Sequence, residues 1–212
     1  MKKAHYLKIL VEDIHSATVA TLDNEGRPVT RIIDMMLYDS NGPYFLTAKG
    51  KEFYRQLMEQ QYISLSATNG KQAISLTGRI KNIGKEKLID IFDRNAYMQG
   101  IYPEGTRDVL EVFQIYEAKG EFFDISIPQK IVRDTFAVGE FHQDVQGYYI
   151  AAACIGCGKC YAACPQKCIN TKNTPAVIEQ IHCLHCGRCV SFCPVGAIQK
   201  RVDIYRFKGE SS

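Results

Sequence analysis

The sequence predicts an α+β protein in two parts, a small antiparallel β-barrel with short helices followed by a compact cysteine-rich module. Three observations predict it. All nine cysteines of the 212-residue chain lie between Cys154 and Cys193, so one segment carries the thiol chemistry. Residues 16–127 alternate short strand-like runs with turn signals, the pattern of antiparallel strands. Two stretches, 51–60 and 85–98, switch to helical spacing of their apolar residues.

Composition supports a folded chain. Hydrophobic residues make up 46% and charged residues 23%, which is ordinary for a globular protein and excludes disorder and collagen. The 26 basic and 23 acidic residues leave a dispersed net charge of +3, too weak to argue for nucleic acid. The longest uncharged apolar stretch, residues 147–158, is well short of the run of about 20 that spans a membrane. The start, Met1-Lys2-Lys3-Ala4-His5, has no apolar signal core. A soluble, cytoplasmic protein is expected.

In chain order, strands are expected at 17–22, 29–38 and 44–47, broken by turns at Asp23-Asn24-Glu25-Gly26 and Asp39-Ser40-Asn41-Gly42-Pro43. The helix at 51–60 gathers Phe53, Tyr54, Leu57 and Met58 on one side. Strands at 62–68 and 72–80 flank an Asn69-Gly70 turn. The helix at 85–98 gathers Leu88, Ile89, Ile91, Phe92 and Tyr97. Two last strands, 109–116 and 121–127, are joined at Lys119-Gly120. Six or so antiparallel strands with helices at their ends make a small barrel. Residues 139–147 read as a linker, dividing the chain into domains at 1–140 and 147–208.

The cysteine segment contains one motif twice: Cys154-x2-Cys157-x2-Cys160-x3-Cys164-Pro165 and Cys183-x2-Cys186-x2-Cys189-x3-Cys193-Pro194. It is an internal repeat with an offset of 29 residues (183 − 154 = 29), which also matches Gly158 with Gly187 and Lys159 with Arg188. Three thiols at two-residue gaps lie on one tight loop, while the fourth starts the next turn, before proline. Zinc commonly uses two separated C-x2-C pairs and fits this spacing poorly. An odd cysteine count without an export signal argues against a disulfide scaffold. Cys168 aligns with Ala197 and reads as a small packed residue, with a redox or ligand-exchange role as the alternative. His182 and His185 flank the second run as neighbours, since no thiolate is missing for them to replace.

Residues 147–208 resemble the bacterial two-cluster ferredoxin domain over their whole length. The resemblance implies two 4Fe-4S clusters with ligands crossing between the halves: Cys154, Cys157, Cys160 and Cys193 on one, and Cys183, Cys186, Cys189 and Cys164 on the other. It implies single-electron transfer at low potential, and a terminal strand within 202–207.

The N-terminal order strand, strand, strand, helix, strand, strand is similar to the FMN-binding split β-barrel of the pyridoxamine-5'-phosphate-oxidase-like superfamily, over roughly residues 5–130. The pieces that carry the likeness are Gly26-Arg27-Pro28-Val29-Thr30-Arg31-Ile32-Ile33 and Tyr44-Phe45-Leu46-Thr47-Ala48-Lys49-Gly50-Lys51. By resemblance, Arg31, Thr47, Lys49 and Lys51 hold the FMN phosphate, and Gln72 lies near the flavin ring. The chemistry suits a dianion, which favours cationic forks and the N–H groups of a helix start. The plainer reading of each is a solvated strand or turn residue. Met36 stands where the B6 oxidases commonly have a lysine, and Glu52-Phe53 where an Arg-Lys pair is common. The ferredoxin unit also replaces their substrate-binding end. The resemblance therefore points away from pyridoxamine phosphate oxidation and towards the flavin-reductase and nitroimidazole-reductase-like branches. It also implies a homodimer with flavin sites at the interface.

Tyr97, Tyr102 and Tyr116 are candidates to line a flavin pocket, though barrel aromatics are more often core. His5, His15 and His142 are candidate proton donors, though an isolated histidine is more often structural. No catalytic acid is named by the sequence. The expected function is an FMN-dependent reductase in which the clusters feed electrons to FMN for a small oxidised substrate. The alternatives are an electron carrier or redox sensor serving other proteins, and a barrel holding another ligand such as haem or deazaflavin.

Overall fold

The computed structural model describes residues 2–140, 142–143, 147–201 and 205–206. The chain forms two compact units, one built from residues up to 121 with 135–140, the other from 122–134 and the described part of 142–206. The expected fold class holds: an antiparallel barrel-like sheet with few helices, then a ferredoxin-type module.

Unit 1 begins with α1 (Lys2–Lys8), continued by a π-helical turn, Ile9–Ile14. Then follow β1 (Ser16–Leu22), β2 (Pro28–Asp34), β3 (Leu37–Asp39), β4 (Gly42–Ala48), α2 (Glu52–Gln60), β5 (Tyr62–Thr68) and β6 (Gln72–Asn82). Next come α3 (Leu88–Arg94), α4 (Met98–Ile101), β7 (Leu110–Ile127) and β8 (Lys130–Val138), the stretch 122–134 of these last two strands being counted in unit 2. The strands form one eight-stranded sheet in the order β2-β1-β5-β6-β7-β4-β3, with β8 also on β7. β1 and β5 alternate buried and open positions, so Ala17, Val19, Ile63, Leu65 and Ala67 face the core. β4 is buried on both faces. Phe45 stacks on Phe113 at 5.6 Å and on Phe53 at 6.1 Å between centroids, which fastens α2 to the barrel.

Three expectations are corrected. The strand expected at 29–38 is two, because the chain turns a barrel corner at Met35–Met36. The Met35 N–H donates to His15 O (2.8 Å) and the Met36 N–H to Tyr44 O (2.8 Å), moving the chain from pairing with β1 to pairing with β4. The helix expected at 85–98 is α3 and α4, interrupted where the Asn95 amide donates to Met36 O (3.0 Å) and Ile91 O (2.8 Å). Lys119-Gly120 is not a turn but lies inside the 18-residue β7. A Cβ at Gly120 would come within 2.4 Å of the Phe136 ring, so this glycine marks a close approach, the other meaning of glycine in a strand pattern.

Unit 2 contains β9 (His142–Gln143), β10 (Tyr148–Ile150), α5 (Lys159–Ala163), β11 (Ile169–Asn170), β12 (Val177–Ile178), α6 (Arg188–Ser191), β13 (Ile198–Lys200) and β14 (Tyr205–Arg206). β10 pairs with β13, β11 with β12, and β14 with β9. Cys160, Cys164, Cys168, Cys183 and Cys189 are buried with Ile169, Ala176, Ile178 and Ile198. The sequence repeat is also structural. Gly158 (φ 70°) and Gly187 (φ 73°) stand at the starts of α5 and α6, in the left-handed region that glycine enters without strain. Much of the expected 139–147 linker and of the 202–207 strand lies outside the described residues. Among the described residues no helix is long and apolar enough to cross a membrane.

Candidate functional site

The cysteines gather into two rings, each drawing on both halves of the repeat. One small cavity is lined by Cys154, Cys157, Cys160 and Cys193 with mostly apolar neighbours such as Ile150 and Val195. The other is lined by Cys183, Cys186, Cys189 and Cys164, together with Cys168 and Tyr148. The reason is local. The third cysteine of each loop lies in the first turn of α5 or α6, and the cysteine just after that helix lines the other half's cavity. Among the described residues no group of three or more His, Cys, Asp or Glu side chains is placed to hold a single metal ion. Four thiols around a cavity instead suit the corners of an iron-sulfur cubane.

Backbone donors serve the sulfurs. Gly156 N–H reaches Cys154 Sγ at 3.5 Å, and its repeat counterpart His185 N–H reaches Cys183 Sγ at 3.4 Å. Ala197 N–H reaches Cys193 Sγ at 3.2 Å. Burial works against the Cys193 thiolate, but N–H groups from Val195 to Ile198 outweigh it and hold the thiol below its ordinary value. Cys168 is 4% exposed, with its Sγ 3.6 Å from Cys164 Sγ. A hydrogen bond with Cys183, then burial, push its thiol well up. It is thus both packed, as a small residue there should be, and in contact with two expected ligands of the second cavity. His182 Nδ1 donates to Ile131 O (2.8 Å), Gln166 Oε1 accepts from Ile131 N–H (3.1 Å), and Arg133 Nη1 lies 3.3 Å from His185 Nδ1. Both histidines therefore stand beside the cysteines rather than among them.

In unit 1 the expected phosphate residues separate into two groups. Arg31, opposite Val19 on β1, donates from Nη1 to Thr21 Oγ1 (2.6 Å), whose own hydroxyl donates to Gln56 Oε1 of α2 (2.6 Å). Its guanidinium lies 4.4 Å from the Phe53 centroid, so the phenylalanine that replaces a cation in α2 supports the arginine's plane. Thr47, next to last in β4, has its Oγ1 buried and without a hydrogen-bond partner, and Lys51 stands at the start of α2. Thr47, Lys51 and the first turn of α2 flank one short loop. Lys49 is engaged elsewhere: its Nζ pairs with Glu111 Oε1 at 2.8 Å. Glu111 also accepts from Tyr54 Oη (2.6 Å) and Asn82 Nδ2, and Lys49, Tyr54 and Asn82 together hold it at about 2. Gln72 opens β6 at the Asn69–Gly70 turn, its Oε1 accepting from Asn69 Nδ2 (3.4 Å). Through the strand register Arg31 lies level with Leu76, and Gln72 stands four residues, roughly 13 Å, farther along β6.

Two residues that the sequence presents singly are partners. His15 Nε2 lies 2.9 Å from Tyr97 Oη, 82 positions away. No spacing rule connects them, because the contact is made by α3 and α4 folding over the barrel corner. Tyr102 packs against the core cluster of Met36, Tyr44 and Phe92, as a barrel aromatic should.

Residues 153–200 match the family model described as 4Fe-4S dicluster domain, and residues 5–120 match the model described as pyridoxamine 5'-phosphate oxidase. Among curated proteins none matches. Among solved structures, a nimc/nima family protein from Clostridium acetobutylicum is 14% identical, with a TM-score of 0.54, covering 65% of this chain and 94% of its own. A general stress protein 26-related protein of the pyridoxinephosphate oxidase family, also from Clostridium acetobutylicum, is 18% identical, with a TM-score of 0.49, covering 64% and 94%. A pyridoxamine 5'-phosphate oxidase-related, FMN binding protein from Nostoc punctiforme is 13% identical, with a TM-score of 0.48, covering 66% and 88%. With more than half its length matched by one model and most of its cysteine module by the other, the chain belongs to the pyridoxamine 5'-phosphate oxidase family and carries a 4Fe-4S dicluster domain.

Proposed function

We propose that this protein is an iron-sulfur flavoprotein reductase. Two 4Fe-4S clusters in residues 147–208 pass single electrons to FMN held within residues 1–140, and the flavin returns them in pairs to a small oxidised substrate. The observation that carries the reading is the pair of crossed thiol rings on a chain of this family. A flavin is the cofactor that converts between one- and two-electron chemistry.

The chain's own residues support a flavin phosphate. Arg31 offers the remaining donors of a fork held flat by Phe53. Thr47 holds a buried hydroxyl that lacks a partner in the protein, a group that costs stability unless a ligand satisfies it. The free N–H groups at the start of α2 and the Lys51 ammonium complete an anion-binding corner. Glu52 in the same turn is the departure from the family's usual cations. Lys49 and Gln72 belong to this site only if binding draws them from their present partners.

A homodimer fits the same reading. The outer face of β2-β1-β5 is open and carries Ile32, 65% exposed, among Thr18, Thr30, Ser64 and Ser66. Free thiolates and low-potential clusters call for a reducing, anaerobic cytoplasm.

The test is anaerobic purification with a visible spectrum and analysis of iron, sulfide and released flavin. About eight irons, eight sulfides and one FMN per chain are expected. Eight irons without flavin would overturn the reductase and leave an electron carrier joined to a barrel with another ligand.

A further inference from the structure

His15 follows the π-helical turn at φ 70° and ψ −57°, a region an L-residue enters only when its surroundings force it. Two backbone bonds do so here: His15 N–H donates to Leu10 O (2.9 Å) and Met35 N–H donates to His15 O (2.8 Å). The result aims the imidazole. Nδ1 lies 3.2 Å from Val11 O, and Nε2 lies 2.9 Å from Tyr97 Oη and 3.6 Å from Asp34 Oδ2. Tyr97 Oη is 2.7 Å from Asp34 Oδ2, whose other oxygen accepts from Ser16 Oγ (2.6 Å).

Counting protons gives this chain of groups two states. Val11 O only accepts, so Nδ1 carries a hydrogen. When the Tyr97 hydroxyl donates to Asp34, its oxygen accepts from an Nε2–H, and His15 is an imidazolium facing a carboxylate. When the hydroxyl turns to His15, Nε2 is bare and the imidazole neutral. The two states differ by one proton and need no movement of heavy atoms. Burial and Asp34 hold the Tyr97 hydroxyl well above the ordinary phenol, so it stays protonated at rest. The ends of the chain differ in surroundings. His15 lines an open cavity with Glu12 of the π-helical turn, Tyr38 of β3 and Arg94 of α3. Tyr38 Oη donates to Glu12 Oε1 (3.0 Å). Tyr97 is 45% exposed.

We infer that Tyr97, served by His15 and Asp34, is a proton-donating site for a small substrate that gains negative charge on an oxygen when reduced. The substrate class rests on the reductase reading; the proton chain does not. A flavin held by this chain would supply, as hydride, the two electrons and one hydrogen that a carbonyl-type substrate takes up. The Tyr97 O–H bond breaks as its proton goes to the substrate oxygen. The His15 Nε2–H bond then breaks to restore the hydroxyl, and His15 takes a proton from solvent through the cavity. Asp34 holds the imidazolium's charge and the phenol's orientation, so His15 and Asp34 are positioning residues acting through Tyr97.

The test compares two acceptors on stoichiometrically reduced protein: p-benzoquinone, which takes hydride and a proton, and ferricyanide, which takes one electron alone. Tyr97→Phe should lower the ratio of quinone to ferricyanide rates about 10²-fold, the size of general-acid catalysis. His15→Gln should lower it most at low pH, where Nε2 carries the proton that restores the hydroxyl, and less as pH rises. A second readout needs no turnover: in NMR titrations the Tyr97 ring signals should follow His15 protonation, and Asp34→Asn should uncouple them. A ratio unchanged within twofold in Tyr97→Phe, or ring signals independent of His15, would overturn the inference. If the wild type reduces neither acceptor, the reductase reading fails, and the NMR coupling alone decides for or against the proton chain.

Discussion

The crossed lining of the two cavities makes a prediction that a reading of each half by itself does not. Each cavity takes three cysteines from one half and one from the other. Cys154→Ala with Cys193→Ala therefore removes two thiols from one ring and none from the second. Cys154→Ala with Cys164→Ala removes one from each. With eight irons as the full load, the first pair should retain about four and the second should approach none. The assay is iron and sulfide per chain after anaerobic reconstitution, with electron paramagnetic resonance of the reduced protein. The first variant should show one isolated cluster in place of two coupled ones. Serine in place of alanine at the same positions checks that loss of metal follows the ligand rather than collapse of the small core around Ile169, Ile178 and Ile198. Four irons in the Cys154/Cys164 variant and none in the Cys154/Cys193 variant would refute the geometry, because that outcome belongs to clusters ligated within each half.

Three further predictions concern unit 1. Arg31→Ala should weaken FMN binding about 10- to 100-fold, as expected for a charge-assisted phosphate contact; Thr47→Val should weaken it too while leaving the thermal midpoint of the flavin-free protein unchanged or raised, since the hydroxyl has no partner to lose, both by flavin-fluorescence titration and calorimetry. Gly120→Ala places a Cβ 2.4–2.6 Å from three Phe136 ring atoms and should cost about 1–3 kcal/mol in denaturant unfolding, with Phe136→Leu in the same chain recovering much of it. Glu111 is held at about 2 against an ordinary 4.5, so its contribution is complete above pH 4.5 and is lost as pH falls towards 2. Discounted for solvent around Lys49, that contribution is on the order of 1–2 kcal/mol, and Glu111→Gln should flatten the acid limb of stability in that window.

How much of the molecule could be read from its sequence depends on how local each cause is. Hairpins with their own turn chemistry, such as β5–Asn69-Gly70-Lys71–β6, appear where the residues place them, because a short turn and alternating burial are decided within a few positions. Gly120 misled for the opposite reason: a glycine that admits a partner's ring has the same local signature as one that makes a turn. The division of 85–98 into two helices likewise depends on Met36 O, 59 residues from the Asn95 amide that bonds it.

The sequence by itself determined the thiol chemistry, because C-x2-C-x2-C-x3-C-P imposes its spacing through covalent geometry and repeats it at a constant offset. It also determined the strand pattern of the barrel and the family likeness. Only the tertiary structure decided which cationic residues stand free. Lys49 reads like Lys51 in the chain, yet β7 brings Glu111 opposite Thr47 and within reach of Lys49. Only the tertiary structure joined His15, Asp34 and Tyr97, because such pairings arise when the sheet closes and a helix folds across its corner, and neither event leaves a period in the sequence.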